Sequence, residues 1–446
     1  MSTEREQWSS KVGFILSSAG AAVGLGAIWK FPYVTGMNGG GAFFLLFILF
    51  TLLIGLPMLI SEFIIGRGAQ KEAVTAYKTL APNSLWVLVG RLGVVGCFLL
   101  LSFYSVVGGW VLIYSVLSLV GAIIYDGAAY GEFFGMITST PWIGLLGLAL
   151  FLCMNVIVLS FGIKNGIEKA SKYLMPLLFV FFVVIVIRSI TLDGAMEGIR
   201  FFLKPDFSQI TGEGVLYALG QSFFSLAVGF SCMVTYASYL GKKESIPSSA
   251  SFVVVMNIVV SFLAGLAIFP AVFAFGLEPT EGPGLLFVVL PTVFAQMPFG
   301  EVFLSLFLLL FLFATLTSSF SLLEIIVSAF TESGKRGRKK VASISGIVVF
   351  AAGIPAALSF GVLADIHIMG KSVFDATDYL VSNILLPIGS FLIAMFVIYG
   401  MDRVLVENEF KAGNSLANGW YKTWRWLMVL LVPITIFVVF VNLLLG

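Results

Sequence analysis

The feature that most constrains this chain is a series of long apolar segments, separated by short clusters of charged and turn-forming residues. A helix needs about 20 apolar residues to cross the hydrocarbon core of a bilayer. Eleven segments meet this requirement, near residues 12–36, 42–66, 88–123, 142–160, 173–190, 215–240, 249–276, 299–330, 341–360, 377–400 and 424–445. They lack the alternation of polar and apolar residues that a lipid-facing barrel requires. The sequence therefore predicts an all-α polytopic membrane protein with 11 transmembrane helices.

Composition excludes several other classes of protein. Charged residues make up only 11% of the chain, against roughly 25% in an average soluble domain. Three cysteines within apolar runs predict no disulfide framework, and a net charge of +2 suggests no nucleic-acid partner. The one histidine, His367, lies in a loop, so no Ser–His pair or zinc site is expected. The expected surroundings are a lipid bilayer, and the expected role is not that of an enzyme.

The distribution of Lys and Arg predicts the orientation. Cytoplasmic loops carry an excess of these residues. If the N-terminus is cytoplasmic, 20 of the 25 Lys and Arg residues fall in inside segments. We therefore expect a cytoplasmic N-terminus and an extracellular C-terminus. The chain contains no Asn-x-Ser/Thr sequon, which favours a plasma membrane of the bacterial inner-membrane type.

Glycines interrupt the first and the sixth span in the middle of the membrane. The runs are Ala19–Gly26 (AGAAVGLG) and Ala227–Ser231 (AVGFS). Paired broken helices five spans apart are typical of inverted-repeat transporters with a site at the membrane midplane; the alternative is close helix packing at small residues. The predicted organisation is a cytoplasmic segment at 1–11, a first repeat at 12–190, a second repeat at 191–400, and a cytoplasmic loop with helix 11 at 401–446.

Polar side chains within the spans gather near these breaks. Intramembrane polar groups cost free energy, so each needs a partner or a function. Glu62 is expected to accept hydrogen bonds from backbone N–H groups that are freed where a helix unwinds. Hydroxyl and amide groups cluster in the sixth, seventh and eighth spans, at Gln221, Ser222, Ser225, Asn257, Ser261, Thr315, Thr317, Ser318, Ser319 and Ser321. Neutral oxygens suit a hard cation, and half-helix N-termini suit a carboxylate, so an amino acid with sodium fits both.

Several motifs resemble the neurotransmitter:sodium symporter family. They are GAAVGLG at 20–26, WKFPY at 29–33, NGGGAF at 38–43, TYASY at 235–239 and LTSS at 316–319. The similarity runs from about residue 5 to about residue 400 and is greatest to the bacterial amino-acid transporters. The resemblance implies a 5+5 inverted repeat with unwound first and sixth helices plus one extra helix. It also implies sodium-coupled symport of hydrophobic (aliphatic and aromatic) L-amino acids by alternating access.

The resemblance implies two sodium sites. The second would use carbonyls and hydroxyls of Gly20, Val23, Ala314, Thr317 and Ser318. The first would use Ala22, Ser225, Asn257 and the substrate's own carboxylate, but Ala27 stands where the family has an asparagine ligand. Chloride use stays open: Gln221, Ser225 and Ser261 match the chloride site of dependent members, whereas Phe47 replaces its tyrosine, which favours chloride independence.

Substrate residues follow from the same resemblance. They are Ala22, Gly24, Leu25, Gly26, Leu100, Tyr104, Phe224, Ser225, Ala227, Phe230, Ser318 and Leu322. The carboxylate would meet the N–H groups of Leu25 and Gly26, and the predominantly apolar lining favours a hydrophobic side chain. The family's monoamine carriers have an aspartate where this chain has Gly24, which implies a substrate that brings its own carboxylate.

Gate residues are also implied by the family pattern. Lys30 with Asp378 resembles the outer pair, and Lys forfeits the bidentate contact that Arg makes. The inner pair would be Arg5 with Glu332, beside Trp8 and Tyr239, and Phe230 would close over the substrate with Tyr104.

Other functions remain as alternatives at this point. A proton-coupled transporter of the same fold could use Glu62 or Asp378 as its carrier. An ion channel would need a ring of filter segments and a substrate-sensing receptor would need a signalling domain, and neither is found in the sequence. A monomer or a weak dimer is expected.

Overall fold

A computed structural model describes residues 6–123, 130–277, 284–331, 337–413 and 417–445 of the chain. Within these ranges, nine continuous helices are long and apolar enough to cross a membrane. They are Gly41–Ala69, Val87–Leu119, Pro141–Ser160, Ile163–Ile190, Ile246–Ala274, Gly300–Thr331, Arg338–Leu358, Val373–Gly400 and Gly419–Val441. They correspond to the second to fifth and the seventh to eleventh predicted spans.

The first and sixth spans are each divided in two. The first consists of Lys11–Ala22 and Gly26–Met37, bent by 52° at the break. The sixth consists of Gly212–Ser225 and Cys232–Ala237, with residues 226–231 outside any helix. The predicted fold class, with 11 spans and unwound first and sixth helices, is thereby confirmed.

Shorter elements connect the spans. The helices are Ala73–Leu80, Tyr130–Ser139, Ala195–Leu203, Phe207–Gln209, Leu285–Ala295 and Arg403–Lys411. Two strands, His367–Ile368 and Lys371–Ser372, pair as an antiparallel hairpin and are the only β-structure in the described residues.

The fifth span begins ten residues earlier than the sequence indicated, at Ile163 instead of 173. Among the charged residues that suggested a loop, Lys164 and Lys169 are exposed, whereas Glu168 is held inside the protein. Glu168 is almost fully buried; it accepts a hydrogen bond from the Ser9 N–H at 2.7 Å and pairs with Lys172 at 2.6 Å. Because these contacts satisfy its charge, the helix continues through the cluster.

The break in the sixth span contains three alternate residues with left-handed backbone angles. Ala227, Gly229 and Ser231 have φ values of +52°, +104° and +58°. Such angles are strained for residues with a Cβ and accessible to glycine. A Cβ on Gly229 would also lie 2.9 Å from the carbonyl oxygen of Leu386 in the tenth span. The chain therefore turns where a glycine allows both the angle and the close approach.

Buried and exposed apolar residues divide the molecule into a core and an outer surface. The first, third, sixth and eighth spans meet at the centre, where Val23, Leu101, Phe230 and Ala314 are buried. Apolar side chains such as Ile187 remain exposed on the outside. This surface suits lipid chains, and the molecule is a multi-pass membrane protein.

Candidate functional site

A cavity lies at the centre of the molecule, between the two helix breaks. It is lined by Ala21, Ala22, Gly24, Leu25, Gly26, Leu100, Tyr104, Phe224, Ala227, Phe230, Cys232, Ser318, Leu322 and Leu386. The set contains eleven of the twelve substrate residues expected from the sequence. The exception is Ser225, which is buried next to Asn257 and is not part of the lining.

The cavity is small and uncharged in this conformation. Its volume is about 30 Å³, which is room for roughly one or two water molecules. None of the described residues that line it carries a charged side chain. A ligand as large as an amino acid would require Phe224 and Phe230 to move apart, and would then meet mainly apolar surface.

The first break places backbone N–H groups beside this cavity. Val23 leaves the helix with φ −88° and ψ 81°, and the outer half restarts at Gly26. The Leu25 N–H donates a hydrogen bond to the hydroxyl oxygen of Tyr104 at 3.4 Å. The N–H groups at a helix N-terminus are a favourable place for a carboxylate, which would take over this bond.

A first group of oxygens surrounds Asn257 in the seventh span. Its amide nitrogen donates to the carbonyl oxygens of Ser225, at 2.9 Å, and Ala22, at 3.4 Å. The Ser225 hydroxyl donates to the Asn257 amide oxygen at 3.2 Å. The structure thus brings together all three residues of the first expected sodium site. To offer an oxygen to a cation, the Asn257 amide would have to turn over.

A second group lies where the first and eighth spans cross. The Ser318 hydroxyl donates to the Ala21 carbonyl at 3.1 Å, and the Thr317 hydroxyl donates to the Ala314 carbonyl at 3.1 Å. A Cβ on Gly20 would lie 3.3 Å from the Thr317 hydroxyl oxygen, so these two residues are also neighbours. Hydroxyl and carbonyl oxygens are suitable ligands for a hard cation.

Glu62 in the second span supports the break in the sixth span. It is fully buried and accepts hydrogen bonds from the N–H groups of Gly229, at 2.7 Å, and Val234, at 3.3 Å. Since residues 226–231 form no helix, these donors have lost their helical partners. One carboxylate therefore holds the unwound segment in place.

The outer gate residues share a cavity but do not form an ion pair. A cavity of about 130 Å³, called here the outer cavity, is lined by Leu25, Trp29, Lys30, Tyr33, Phe103, Tyr104, Phe224, Phe374, Asp375 and Asp378. The Lys30 ammonium lies 4.6 Å from the centre of the Phe224 ring, a cation–π contact. Asp378 accepts a hydrogen bond from Ser382 at 2.7 Å. In this conformation the expected Lys30–Asp378 pair is not formed.

At the predicted inner gate, Trp8 packs against Tyr236 and Tyr239, at the end of the second half of the sixth span. Its indole N–H donates to the Tyr236 carbonyl at 2.9 Å, and its backbone N–H donates to the Tyr239 carbonyl at 3.1 Å. Tyr239 in turn donates to the Glu324 carboxylate at 2.7 Å. The expected inner pair of Arg5 and Glu332 lies outside the described residues.

Sequence reasoning missed several residues around the site. Arg338 pairs with the buried carboxylate of Glu324, and nothing in the sequence indicates that these two residues are partners. Cys232 and Leu386 line the cavity without any polar signal to mark them. The position of Cys232, directly after the glycine-broken run, is the one clue that could have found it.

The chain is similar to known transporters over nearly its whole length. The sequence model of the sodium:neurotransmitter symporter family matches residues 5–130 and 128–445. An uncharacterized sodium-dependent transporter of Bacillus subtilis, YhdH, is 50% identical over 98% of this chain and 97% of that protein. An uncharacterized sodium-dependent transporter of Haemophilus influenzae is 38% identical over 98% of both chains.

A solved structure has the same fold. It is the crystal structure of MhsT in complex with L-phenylalanine, with a TM-score of 0.91 and 40% sequence identity. The match covers 98% of this chain and 100% of that chain.

Proposed function

Since the chain belongs to the sodium:neurotransmitter symporter family, we propose that it is a sodium-coupled symporter for hydrophobic L-amino acids. It would move them inward by alternating access. The transporter fold and the bacterial relatives support the class of activity. What we propose beyond this class is the identity of the transported amino acid, the identity of the coupling ion, and the residues that bind them.

The observation that carries this proposal is the central cavity and its surroundings. An uncharged, mainly apolar lining lies against the N-terminus of a half-helix at Leu25 and Gly26. The oxygen groups around Asn257 and Thr317 lie beside it. An amino acid with an apolar side chain and a carboxylate, together with small cations, matches these features.

In the proposed binding mode, the substrate carboxylate meets the N–H groups of Leu25 and Gly26 and the Tyr104 hydroxyl. The ammonium group meets backbone carbonyls near Ala22 and at the sixth break. The side chain enters the apolar part of the cavity, between the third, sixth and eighth spans. The relative MhsT, whose structure contains L-phenylalanine, supports an aromatic substrate of this kind.

Sodium would supply the driving force. Each charge moved through about 100 mV yields roughly 2.3 kcal/mol, and each tenfold concentration gradient adds about 1.4 kcal/mol. Two sodium ions moving with a zwitterion therefore supply on the order of 7 kcal/mol. The first would bind near Asn257 with the substrate carboxylate, and the second between Gly20, Val23, Ala314, Thr317 and Ser318.

The test is uptake of labelled L-phenylalanine into proteoliposomes with an imposed inward sodium gradient. We expect accumulation that disappears when potassium or choline replaces sodium, and that competes with other apolar amino acids. Equal uptake without sodium would refute the coupling. Uptake driven by a proton gradient in sodium-free buffer would instead support the proton-coupled alternative.

A further inference from the structure

Two buried cysteines meet beside the central cavity. Cys97 lies in the third span, and Cys232 is the first residue of the inner half of the sixth span. Their sulfur atoms are 3.1 Å apart, although 135 residues separate them in the sequence. Both residues are buried free cysteines. The third cysteine, Cys153, is exposed on a different span.

The backbone around this pair is tightly packed. A Cβ on Gly96 would lie 2.5 Å from the Phe230 ring, and one on Gly93 would lie 3.0 Å from the Phe230 carbonyl carbon. The Cys97 sulfur is 3.8 Å from the Phe230 carbonyl oxygen. The third span therefore lies directly against the unwound segment of the sixth span. The two thiols meet where this segment ends and the helix resumes at Cys232.

Three side chains separate the cavity beside this pair from the outer cavity. Cys232 lines the central cavity. That cavity shares Leu25, Tyr104 and Phe224 with the outer cavity. Movement of these three side chains would open a path from outside to the Cys232 sulfur, with Cys97 directly behind it.

We propose that Cys97 and Cys232 are a site of reversible oxidation, at which a small peroxide converts the two thiols into a disulfide. The cross-link joins the third span to the inner half of the sixth span and stops their relative movement. The formation of the disulfide does not depend on the proposed function. The predicted effect of the disulfide on transport rests on the proposed function.

The reaction balances with hydrogen peroxide as the oxidant. The Cys232 sulfur attacks one peroxide oxygen, the O–O bond breaks, and a sulfenic acid and one water form. The Cys97 sulfur then attacks the Cys232 sulfur, and the S–O bond breaks with release of a second water. Both thiol protons end in water, the two sulfurs lose two electrons, and the peroxide gains them. An S–S bond of about 2.05 Å requires the sulfurs to approach by roughly 1 Å.

The first experiment counts thiols in the full chain carrying Cys153→Ser, purified in detergent. After treatment with hydrogen peroxide, we expect both remaining thiols to disappear together from maleimide labelling under denaturing conditions. The intact mass should fall by two hydrogen atoms, and dithiothreitol should restore both thiols. Glutathione in the same tube serves as the control for the oxidant. The proposal is wrong if both cysteines still react with maleimide after the glutathione is fully oxidised, or if the mass of the protein rises by added oxygen instead.

The second experiment measures the consequence in proteoliposomes. In the Cys153→Ser protein, we expect peroxide to abolish L-phenylalanine uptake and dithiothreitol to restore it. With Cys97→Ala and Cys232→Ala both added, no cysteine is left to oxidise, and the uptake that remains should be insensitive to peroxide. The first experiment shows whether the protein is cross-linked. If cross-linked protein takes up L-phenylalanine at an unchanged rate, the proposed effect of the disulfide on transport is wrong.

Substrate protection separates this proposal from the proposed function. If L-phenylalanine binds in the central cavity, it should slow the cross-linking, because it covers Cys232. Cross-linking that proceeds at the same rate with and without L-phenylalanine would contradict the substrate site and leave the oxidation site standing.

Discussion

At Gly24 the missing side chain sets the distance between the first span and its neighbours. A Cβ there would lie 2.5 Å from the Ser318 hydroxyl oxygen and 2.7 Å from the Tyr104 hydroxyl oxygen. Both distances are too short for stable packing. Both neighbours belong to the proposed substrate site, so even a methyl group at this position would displace residues that hold the ligand.

Gly24→Ala is therefore expected to weaken L-phenylalanine binding by roughly tenfold or more, since overpacking costs about 1–3 kcal/mol. Equilibrium binding of labelled L-phenylalanine to purified protein measures the change. Gly220→Ala in the sixth span is the matched control, because its added Cβ would meet no atom within 4 Å. Wild-type affinity in Gly24→Ala would contradict the proposed position of the substrate.

Ala27 occupies the position where the family resemblance implies an asparagine ligand of the proposed first sodium site. It is fully buried in the first turn of the outer half of the first span. Next to it, the Gly26 carbonyl accepts a hydrogen bond from the Gln221 amide at 2.6 Å. An alanine offers no side-chain oxygen, so the proposed first site depends on Ala22, Ser225, Asn257 and the substrate.

Ala27→Asn should restore the missing ligand and lower the sodium concentration needed for half-maximal L-phenylalanine binding by roughly tenfold, equivalent to about 1.4 kcal/mol. Ala27→Leu is the control, since it adds a similar volume without an oxygen. If both variants respond to sodium alike, the first site does not include this position.

At the level of elements, charges hold the short helix Arg403–Lys411 against the spans. The buried guanidinium of Arg67, in the second span, pairs with Glu409 at 2.6 Å and also donates to the backbone carbonyls of Glu244 and Glu409. Lys242, in the loop after the sixth span, pairs with Glu409 at 2.7 Å. One carboxylate thus ties this helix to two other parts of the chain.

Removing the charge of Glu409 leaves Arg67 buried without its counter-ion, and breaking a buried pair costs about 3–5 kcal/mol. We expect Glu409→Gln to lower the melting temperature of the detergent-solubilised protein clearly. Glu407→Gln, on the same helix, removes a partly exposed pair with Lys411 that is worth less than about 1 kcal/mol. Equal melting temperatures for the two variants would show that the Arg67 cluster does not hold this helix.

Sequence patterns predicted most of the helices but few of the contacts between them. The apolar runs and glycines predicted the spans and both breaks, because membrane helices need long apolar stretches and broken ones need permissive residues. The start of the fifth span was predicted wrongly, since no local pattern shows that Glu168 meets Ser9, 159 residues away in the sequence. The Arg67–Glu409 contact spans 342 residues, and no local pattern indicates it.

On the scale of the whole molecule, the structure is closed at the end where Trp8 lies and has a cavity at the end where Lys30 and Asp378 lie. Trp8 and Tyr239 seal the inner end, whereas Lys30 and Asp378 line the outer cavity without pairing. Under the proposed function and the predicted orientation, this arrangement would correspond to the outward-oriented part of the alternating-access cycle. The division into two repeats at residues 12–190 and 191–400 remains a prediction.

Orientation in the membrane is a whole-molecule property that charge predicts. Because the inside segments carry most of the Lys and Arg residues, a fluorescent protein fused before residue 1 should fold and fluoresce in the cytoplasm. Alkaline phosphatase fused after residue 446 should be active, since it would lie outside. The same fluorescent protein can also be fused after residue 446. If that fusion fluoresces and the phosphatase fusion is inactive, the C-terminus lies in the cytoplasm and the prediction is wrong.

The sequence by itself determined the membrane class, the 11 spans, the two broken helices and the family, because these depend on apolar length and local motifs. Through the family motifs it also indicated most of the residues around the central cavity. The tertiary structure alone decided which side chains meet across the bundle: Lys30 with the Phe224 ring, Arg338 with Glu324, and Cys97 with Cys232. These contacts depend on how the helices pack and rotate against one another, and no single stretch of sequence contains that information.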